Sequence, residues 1–413
     1  MTALDQLYVR CIGVYEFEAG RRLLLTRKGS GETAIYFYAE GTKLTHLLPI
    51  SETALTTAHG ETIRLEEAAS AILLERDGHQ QIGRRAHEYD EEQVLIVTEE
   101  GHTLAGCLLK PLTPAPHPAV LFCHLANVHE RDYYRLYAQH LVKRGIAVLL
   151  YDKRGRGSSG GEALGSQIYE LSEDADAVFR FLRQHPAVDP QRIGLWGMSN
   201  GGWVDLLVAS KYPDVMWIIN LSAAGVAPTR QELVRRLNVS RQAGATPDQL
   251  QFLESFWQLV FGYLTGAVWS EEVEAALMRL QQEPQWRALL QDTGGDWLLD
   301  TGIDEIKREY RGAWRDGGFD PIPLYAQVHC PILCLWGEND DVLPLEESVG
   351  NIRRALRSSD HSDWSIRTFP AADHLFYLAG GSMDSWSDGQ AAADIHLPEE
   401  VFTIMAYWAK ARV

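Results

Sequence analysis

Two hydrophobic rhythms divide the chain. From Ile12 to about Arg84, short apolar runs are separated by turn dipeptides. Val14-Tyr15-Glu16-Phe17 leads to Ala19-Gly20, Leu23-Leu24-Leu25 to Gly29-Ser30-Gly31, and Ala34-Ile35-Tyr36-Phe37-Tyr38 to Glu40-Gly41. Residues 62–65 and 71–74 follow, ending at Asp77-Gly78. Closely spaced strands with glycine turns predict an antiparallel meander, a small barrel or sandwich, as an N-terminal domain over residues 1–87. Its expected role is structural or oligomerising. The pattern then changes. Residues 94–98, a Gly101 turn and residues 104–109 predict a hairpin, and Pro111, Pro114, Pro116 and Pro118 a stiff connector.

Beyond the prolines, apolar strands alternate with amphipathic helices. Strands are expected at 119–123, 146–151, 193–196, 215–221, 331–336 and 364–369; helices at 135–143, 173–183, 202–211, 346–356 and 398–410. This alternation is the mark of an α/β fold with a mostly parallel sheet covered on both faces, spanning residues 88–413. Ligands bind such sheets at the carboxyl ends of their strands. Between about 226 and 327 the alternation stops and helices are expected. Thr246-Pro247-Asp248-Gln249 opens one of them with a cap, and Phe252, Phe256, Leu259, Val260 and Tyr263 line one of its faces. Ser270-Glu271-Glu272 caps another, carrying Val273, Leu277 and Leu280. An aromatic stripe of this kind is more often a packed core than a ligand box. Its place between two sheet strands makes it a helical lid insertion, with Trp257, Trp269, Trp286, Trp297 and Trp314 as apolar bulk.

Composition narrows the function classes. The 413 residues carry a formal charge of −18, without the basic footprint that nucleic acid or an anionic membrane requires. No apolar run is long enough to span a bilayer, and the first residues lack the pattern of a secretory signal. The five cysteines, Cys11, Cys107, Cys123, Cys330 and Cys334, lie mostly inside apolar runs, with Cys330 and Cys334 on one expected strand. They read as small buried hydrophobes in a reducing, cytoplasmic setting, with no disulfides and no metal.

The chemistry centres on Gly197-Met198-Ser199-Asn200-Gly201, a Gly-x-Ser-x-Gly between an apolar strand and a helix. A turn this sharp lifts the serine hydroxyl clear of the sheet, and side chains two residues either side would collide. A serine hydroxyl needs a base, and the base needs a third group to fix its tautomer. On such sheets the order along the chain is serine, acid, histidine. Asp340 follows the strand at 331–336 and His374 follows the strand at 364–369, which makes them the candidate acid and base for Ser199. Asp341 is the alternative acid, and Asp373 is expected to cap the local turn. An oxyanion needs two backbone donors: Asn200 N–H is one candidate, and Ala126 N–H, or Leu125 N–H, the other. The glycine-rich 152–160 stretch lacks the Gly-Lys-Ser/Thr and helix start of a phosphate cradle. It reads as a structural turn in which Asp152 and Arg154 bond neighbouring loops.

These residues carry a resemblance. From about residue 88 onward the chain resembles the α/β-hydrolase superfamily, and is most similar to a serine esterase and peptidase-like branch. That branch ends its fourth strand in Tyr-Asp-Lys-Arg-Gly-x-Gly-x-Ser, which residues 151–159 match. Gly-x-x-Asp-x-x-x-Pro at 337–344, Asp-His at 373–374 and the Arg131-Asp132 pair also fit. The resemblance implies hydrolysis of a small-molecule carboxylic ester through an acyl-enzyme, without cofactor, in a possible homo-oligomer. Peptidase or amidase action and acyl thioester hydrolysis are the near alternatives. A peptidase would need acidic anchors such as Glu271 or Glu274 for a free amine. A non-catalytic ligand-binding protein on the same scaffold is the remaining one. The chain departs from the family in its oxyanion loop, where Leu125 and Asn127 stand at positions that are usually glycine or small.

Overall fold

The computed structural model describes residues 3–30, 34–126, 130–163, 167–266, 270–283, 286, 289–290, 297–302, 304–305, 315–378 and 394–413. The N-terminal meander closes on itself. Strands β1 (Gly13–Glu16), β2 (Arg22–Lys28), β3 (Ile35–Glu40), β4 (Lys43–Pro49), β5 (Ala54–Thr56), β6 (Thr62–Leu65), β7 (Ala71–Arg76) and β8 (His79–Arg85) are all antiparallel. β1 pairs with β8, and β4 pairs with both β3 and β5, so the strands form a barrel. Closure removes most of the exposed edge that is the usual hazard of antiparallel strands, leaving part of β4 unpaired by β5.

Side chains alternate across a strand, and here both faces are buried. Leu23 and Leu25 of β2 and Tyr36 and Tyr38 of β3 point to the barrel core. The intervening Leu24, Phe37 and Ala39 join a different cluster, shared with Tyr133, Tyr134 and Trp196 of the rest of the chain. That double burial is why these strands read as continuous apolar runs. A helix not anticipated from the sequence, α1 (Ala3–Cys11), adds Leu4, Leu7, Tyr8 and Cys11 to the barrel core. The Tyr8 hydroxyl lies 2.9 Å from both Thr26 O and Phe37 O. The spacing of those four residues is helical, a short signal at the start of the chain.

The second sheet runs β9 (Asp90–Val97), β10 (Thr103–Lys110), β12 (Ala147–Tyr151), β11 (His117–Cys123), β13 (Val188–Met198), β14 (Ile218–Leu221), β15 (Ile332–Gly337), β16 (Trp364–Phe369) from edge to edge. β11 to β16 are parallel to one another, while β9 and β10 form the antiparallel hairpin. Helix α2 (Arg135–Val142) and the last helix, Glu399–Lys410, cover one face together with the barrel. Helices α3 (Ile168–Gln184), α4 (Asn200–Lys211) and Leu345–Ser358 cover the other. Several boundaries differ from expectation: the helix expected at 173–183 starts at Ile168, and the strand expected at 193–196 runs from Val188 to Met198. Pro118 lies inside β11, at a register shift that spares its missing N–H, and not in the connector. β14 begins at Ile218, and Cys330 precedes β15. All five cysteines are free thiols. No helix among the described residues is long and apolar enough to cross a membrane.

Between β14 and β15 lies a helical insertion with a core of its own. Its members include α5 (Pro228–Gln242), α6 (Pro247–Leu264) and α7 (Glu271–Gln282). Thr246 and Gln249 form a reciprocal capping box at the start of α6. Phe256, Trp257 and Trp286 are buried within this core, so the aromatic stripe is packing. Trp269 and Trp314, and the side chain of Trp297, lie outside the described residues. A final two-residue strand, β17 (Ile395–His396), adds to the free half of β4 and returns the chain to the barrel. Because α1 completes the barrel core, Leu7→Ala should cost about 2–5 kcal/mol in urea unfolding; a loss below about 0.5 kcal/mol would show that α1 is not part of that core.

Candidate active site

β13 ends at Met198 and α4 starts at Asn200, which leaves Ser199 alone to make the turn. Its backbone sits at φ 52°, ψ −117°, held by a hydrogen bond from Ser199 N to Leu221 O of β14 (2.7 Å). The glycines are sterically required. A methyl group on Gly197 would lie 2.5 Å from Gly201 C, and one on Gly201 would lie 2.2 Å from Cys123 O of β11. The helix start therefore abuts the end of β11, where the oxyanion loop leaves the sheet.

Asp340 sits in the turn after β15, and its Oδ1 accepts Val342 N–H (3.0 Å) and Leu343 N–H (3.3 Å). Those bonds aim Oδ2 at His374 Nδ1, 2.7 Å away. His374 Nε2 lies 2.9 Å from Ser199 Oγ. Residues 199, 340 and 374 are thus joined in one hydrogen-bonded chain at the carboxyl ends of β13, β15 and β16. Burial pulls the imidazole pKa down, but the charge of Asp340 and its hydrogen bond, with Asp373 and Asp341 behind them, outweigh it and hold it above its ordinary value. Asp341 faces away: its carbonyl and carboxylate accept from Asn238 and Gln242 of α5. Asp373 caps the turn, its Oδ1 accepting Leu375 N–H (2.9 Å) and Tyr377 N–H (2.7 Å). Ser222, which no motif in the chain singles out, fixes the histidine main chain by donating to His374 O (2.7 Å).

The candidate oxyanion loop is tied down by two side chains. Leu125 N–H donates to the buried Tyr134 hydroxyl (3.0 Å). This donor is committed, which corrects the expectation that Leu125 is an alternative to Ala126. Lys153 Nζ donates to Leu125 O (2.7 Å) and Ala126 O (3.3 Å). Asp152 accepts Arg131 N–H (2.9 Å) and Ser158 N–H (3.0 Å), and Arg154 makes paired bonds of 2.6 Å to Asp174. The 152–160 turn is therefore a brace between loops. Ala126 is half-buried, and Asn200 N–H belongs to the first turn of α4, whose amides lack partners within the helix. Asn127 lies outside the described residues. Lys153 and Tyr134 escaped the sequence reading because a buried lysine and a buried tyrosine look like any turn lysine and any core aromatic.

Residues 114–253 match the family model of the S33 serine aminopeptidases. The thiohydrolase aneE of Aspergillus aculeatus is 34% identical over 145 residues, 34% of this chain and 44% of that protein. The thiohydrolase apmlB of Arthrinium phaeospermum is 29% identical over 172 residues, 39% of this chain and 55% of that protein. The esterase FrsA of Yersinia pestis is 31% identical over 114 residues, 27% of each chain. The chain spans about half the length of the first two of these relatives. Among solved structures, a proline iminopeptidase of Mycobacterium smegmatis aligns with a TM-score of 0.47 at 15% identity, covering 78% of this chain and 98% of that one. A 2,6-dihydroxy-pseudo-oxynicotine hydrolase aligns at 0.46 and 15% identity, covering 78% and 67%. The strand order and the serine turn between β13 and α4, with the family match over residues 114–253, support an α/β-hydrolase fold.

Lys153 is buried with its ammonium on the Leu125 and Ala126 carbonyls, and burial, with Arg156 adding to it, lowers its pKa to about 7. The unfolded chain holds that proton up to the ordinary 10.5, so between about 7 and 10.5 the unfolded state binds more protons and stability rises with pH. The stability difference between wild type and Lys153→Met should therefore shift in favour of wild type across that window. Parallel urea-unfolding curves at pH 7 and pH 10 would refute a buried ammonium at this site.

Proposed function

We propose that this chain is a serine hydrolase that cleaves a carboxylic ester through an acyl-enzyme intermediate. The observation that carries the reading is the hydrogen-bonded chain Asp340–His374–Ser199, with 2.7 and 2.9 Å links. Ser199 Oγ attacks the ester carbonyl carbon while its proton passes to His374 Nε2. Asp340 holds Nδ1–H and stabilises the imidazolium. Asn200 N–H and Ala126 N–H receive the tetrahedral oxyanion. Collapse breaks the carbon–oxygen bond to the alcohol, which leaves with the proton from Nε2. Water, deprotonated by the same nitrogen, then attacks the acyl-serine and releases the acid.

Thioester hydrolysis is the second reading, favoured by the two relatives named as thiohydrolases. It uses the same acyl-serine and differs only in a sulfur leaving group. The barrel over residues 1–87 and the hydrolase unit over 88–413 act together. The helices within 226–327 serve as the lid, since α5 is bonded to the turn that carries Asp340. Five free thiols suit a reducing, cytoplasmic setting.

Ser199→Ala should reduce hydrolysis of a short-chain p-nitrophenyl ester by at least about 1000-fold, and equal turnover by both proteins would end the proposal. Because His374 must be neutral to accept a proton, kcat/KM should fall on the acid side around a pKa above 6.5, the ordinary histidine value. Asp340→Asn should move that limb to lower pH and cut kcat by about 1000- to 10,000-fold. Asp341→Asn should do neither, and a reversed ranking in the pH–rate profiles would make Asp341 the acid.

A further inference from the structure

The barrel touches the hydrolase unit at the two segments that flank the serine. On one side, the Thr26 hydroxyl of β2 donates to Asp132 O, and Arg27 donates to Asp132 Oδ2 (3.3 Å). Just beyond β2, Ser30 Oγ bonds Glu130 Oε1 (3.3 Å). Asp132 lies in the short helix Arg131–Tyr134, whose last residue holds Leu125 N–H through its hydroxyl. A side chain of the barrel is thus two hydrogen bonds and a rigid helical turn from the oxyanion loop.

The ion pairs along this route are buried except at the outer end, where Glu91 is exposed. Asp5 of α1 pairs with Arg27 (2.6 Å), Arg27 with Asp132, Asp132 with Arg135 (3.1 Å), and Arg135 with Glu91 (2.7 Å). Burial would raise the Asp132 carboxyl, but Arg135 and Arg27 together hold it below its ordinary value. A buried chain of alternating charges leaves little freedom for slippage, because displacing one member strands its neighbours in low dielectric.

On the other side, β4 pairs with β17 at His396↔Lys43, and His396 O accepts Leu378 N–H (2.8 Å). Leu378 ends the turn that begins at His374, and that turn is pinned internally by Asp373 N–H donating to Tyr377 O (2.9 Å). Asp394, which precedes β17, is held by Lys43 (2.7 Å) and by the Thr45 hydroxyl (2.8 Å). The Tyr133 and Tyr377 hydroxyls, 3.3 Å apart, link the two sides.

We propose that the N-terminal barrel is a positioning element of the active site, with Thr26 and Arg27 setting the oxyanion loop through Asp132 and Tyr134. The proposal rests on the serine-hydrolase reading above. A hydroxyl this far from the substrate acts only through the geometry of the loop, so its loss weakens the developing oxyanion and leaves ground-state binding intact.

The test uses the full chain and a short-chain p-nitrophenyl ester, with active sites counted by a fluorophosphonate. Thr26→Val keeps the shape and removes the donor. It should lower kcat per titrated site by about tenfold, the size typical of lost outer-shell support. KM should stay within about twofold, and a trifluoromethyl ketone that forms a tetrahedral adduct should bind more weakly by the same factor as kcat. Thr26→Ser, which restores the hydroxyl, should return kcat to within about twofold of wild type. Unchanged kcat per site in Thr26→Val overturns the proposal, and so does a loss of activity matched entirely by a loss of titratable sites. Where Thr26→Val does not fold, Ser30→Ala decides: about a threefold fall in kcat per site supports the proposal and no change overturns it. A wild type that is inactive, or whose activity survives Ser199→Ala, fails the serine-hydrolase reading instead.

Discussion

A serine backbone at φ 52°, ψ −117° is the constraint from which the site is built. A non-glycine residue in this conformation costs about 1–3 kcal/mol, so the surroundings must hold it there. They do so through close backbone approach. Gly197 and Gly201 let the strand, the helix and the end of β11 meet at distances that no side chain would allow. The same crowding places the oxyanion loop beside the first turn of α4. It also sets Ser199 Oγ where the His374 ring can reach it from the far edge of the sheet.

The second organising feature is the handling of buried charge. Carboxylates and guanidinium groups between the barrel and the sheet are arranged in alternation, so each is offset by a neighbour. Lys153 is treated differently. Its ammonium donates to the Leu125 and Ala126 carbonyls, and burial, with Arg156 adding to it, lowers its pKa to about 7. Loop carbonyls bound to an ammonium point inward, and the loop amides must then point elsewhere. Both devices hold peptide groups in place beside Ser199.

Much of this was legible in the sequence, for identifiable reasons. Gly-x-Ser-x-Gly between a strand and a helix, with acid and histidine each following a later strand, carries its geometry in its spacing. The antiparallel meander, though not its closure into a barrel, was visible in the regular turn glycines, and the caps at Thr246 and Ser270 in short-range hydrogen bonding. What was not legible depends on contacts between distant segments. Leu125 is committed to Tyr134, and that tyrosine reads as any core aromatic. The link from Thr26 to Asp132 crosses 106 positions. The run Leu23-Leu24-Leu25 hid the fact that one residue of the three faces the other unit, because a strand buried on both sides has no polar alternation to reveal it.

Catalysis through an acyl-enzyme requires a covalent bond to form at one oxygen, Ser199 Oγ. Rapid mixing of the protein with a slowly deacylating ester, acid quenching and peptide mass spectrometry should find the acyl group on the peptide containing Ser199, and its rate of appearance should equal or exceed turnover. Steady turnover with no acylated Ser199 at any time, or with the acyl group on another residue, would contradict it.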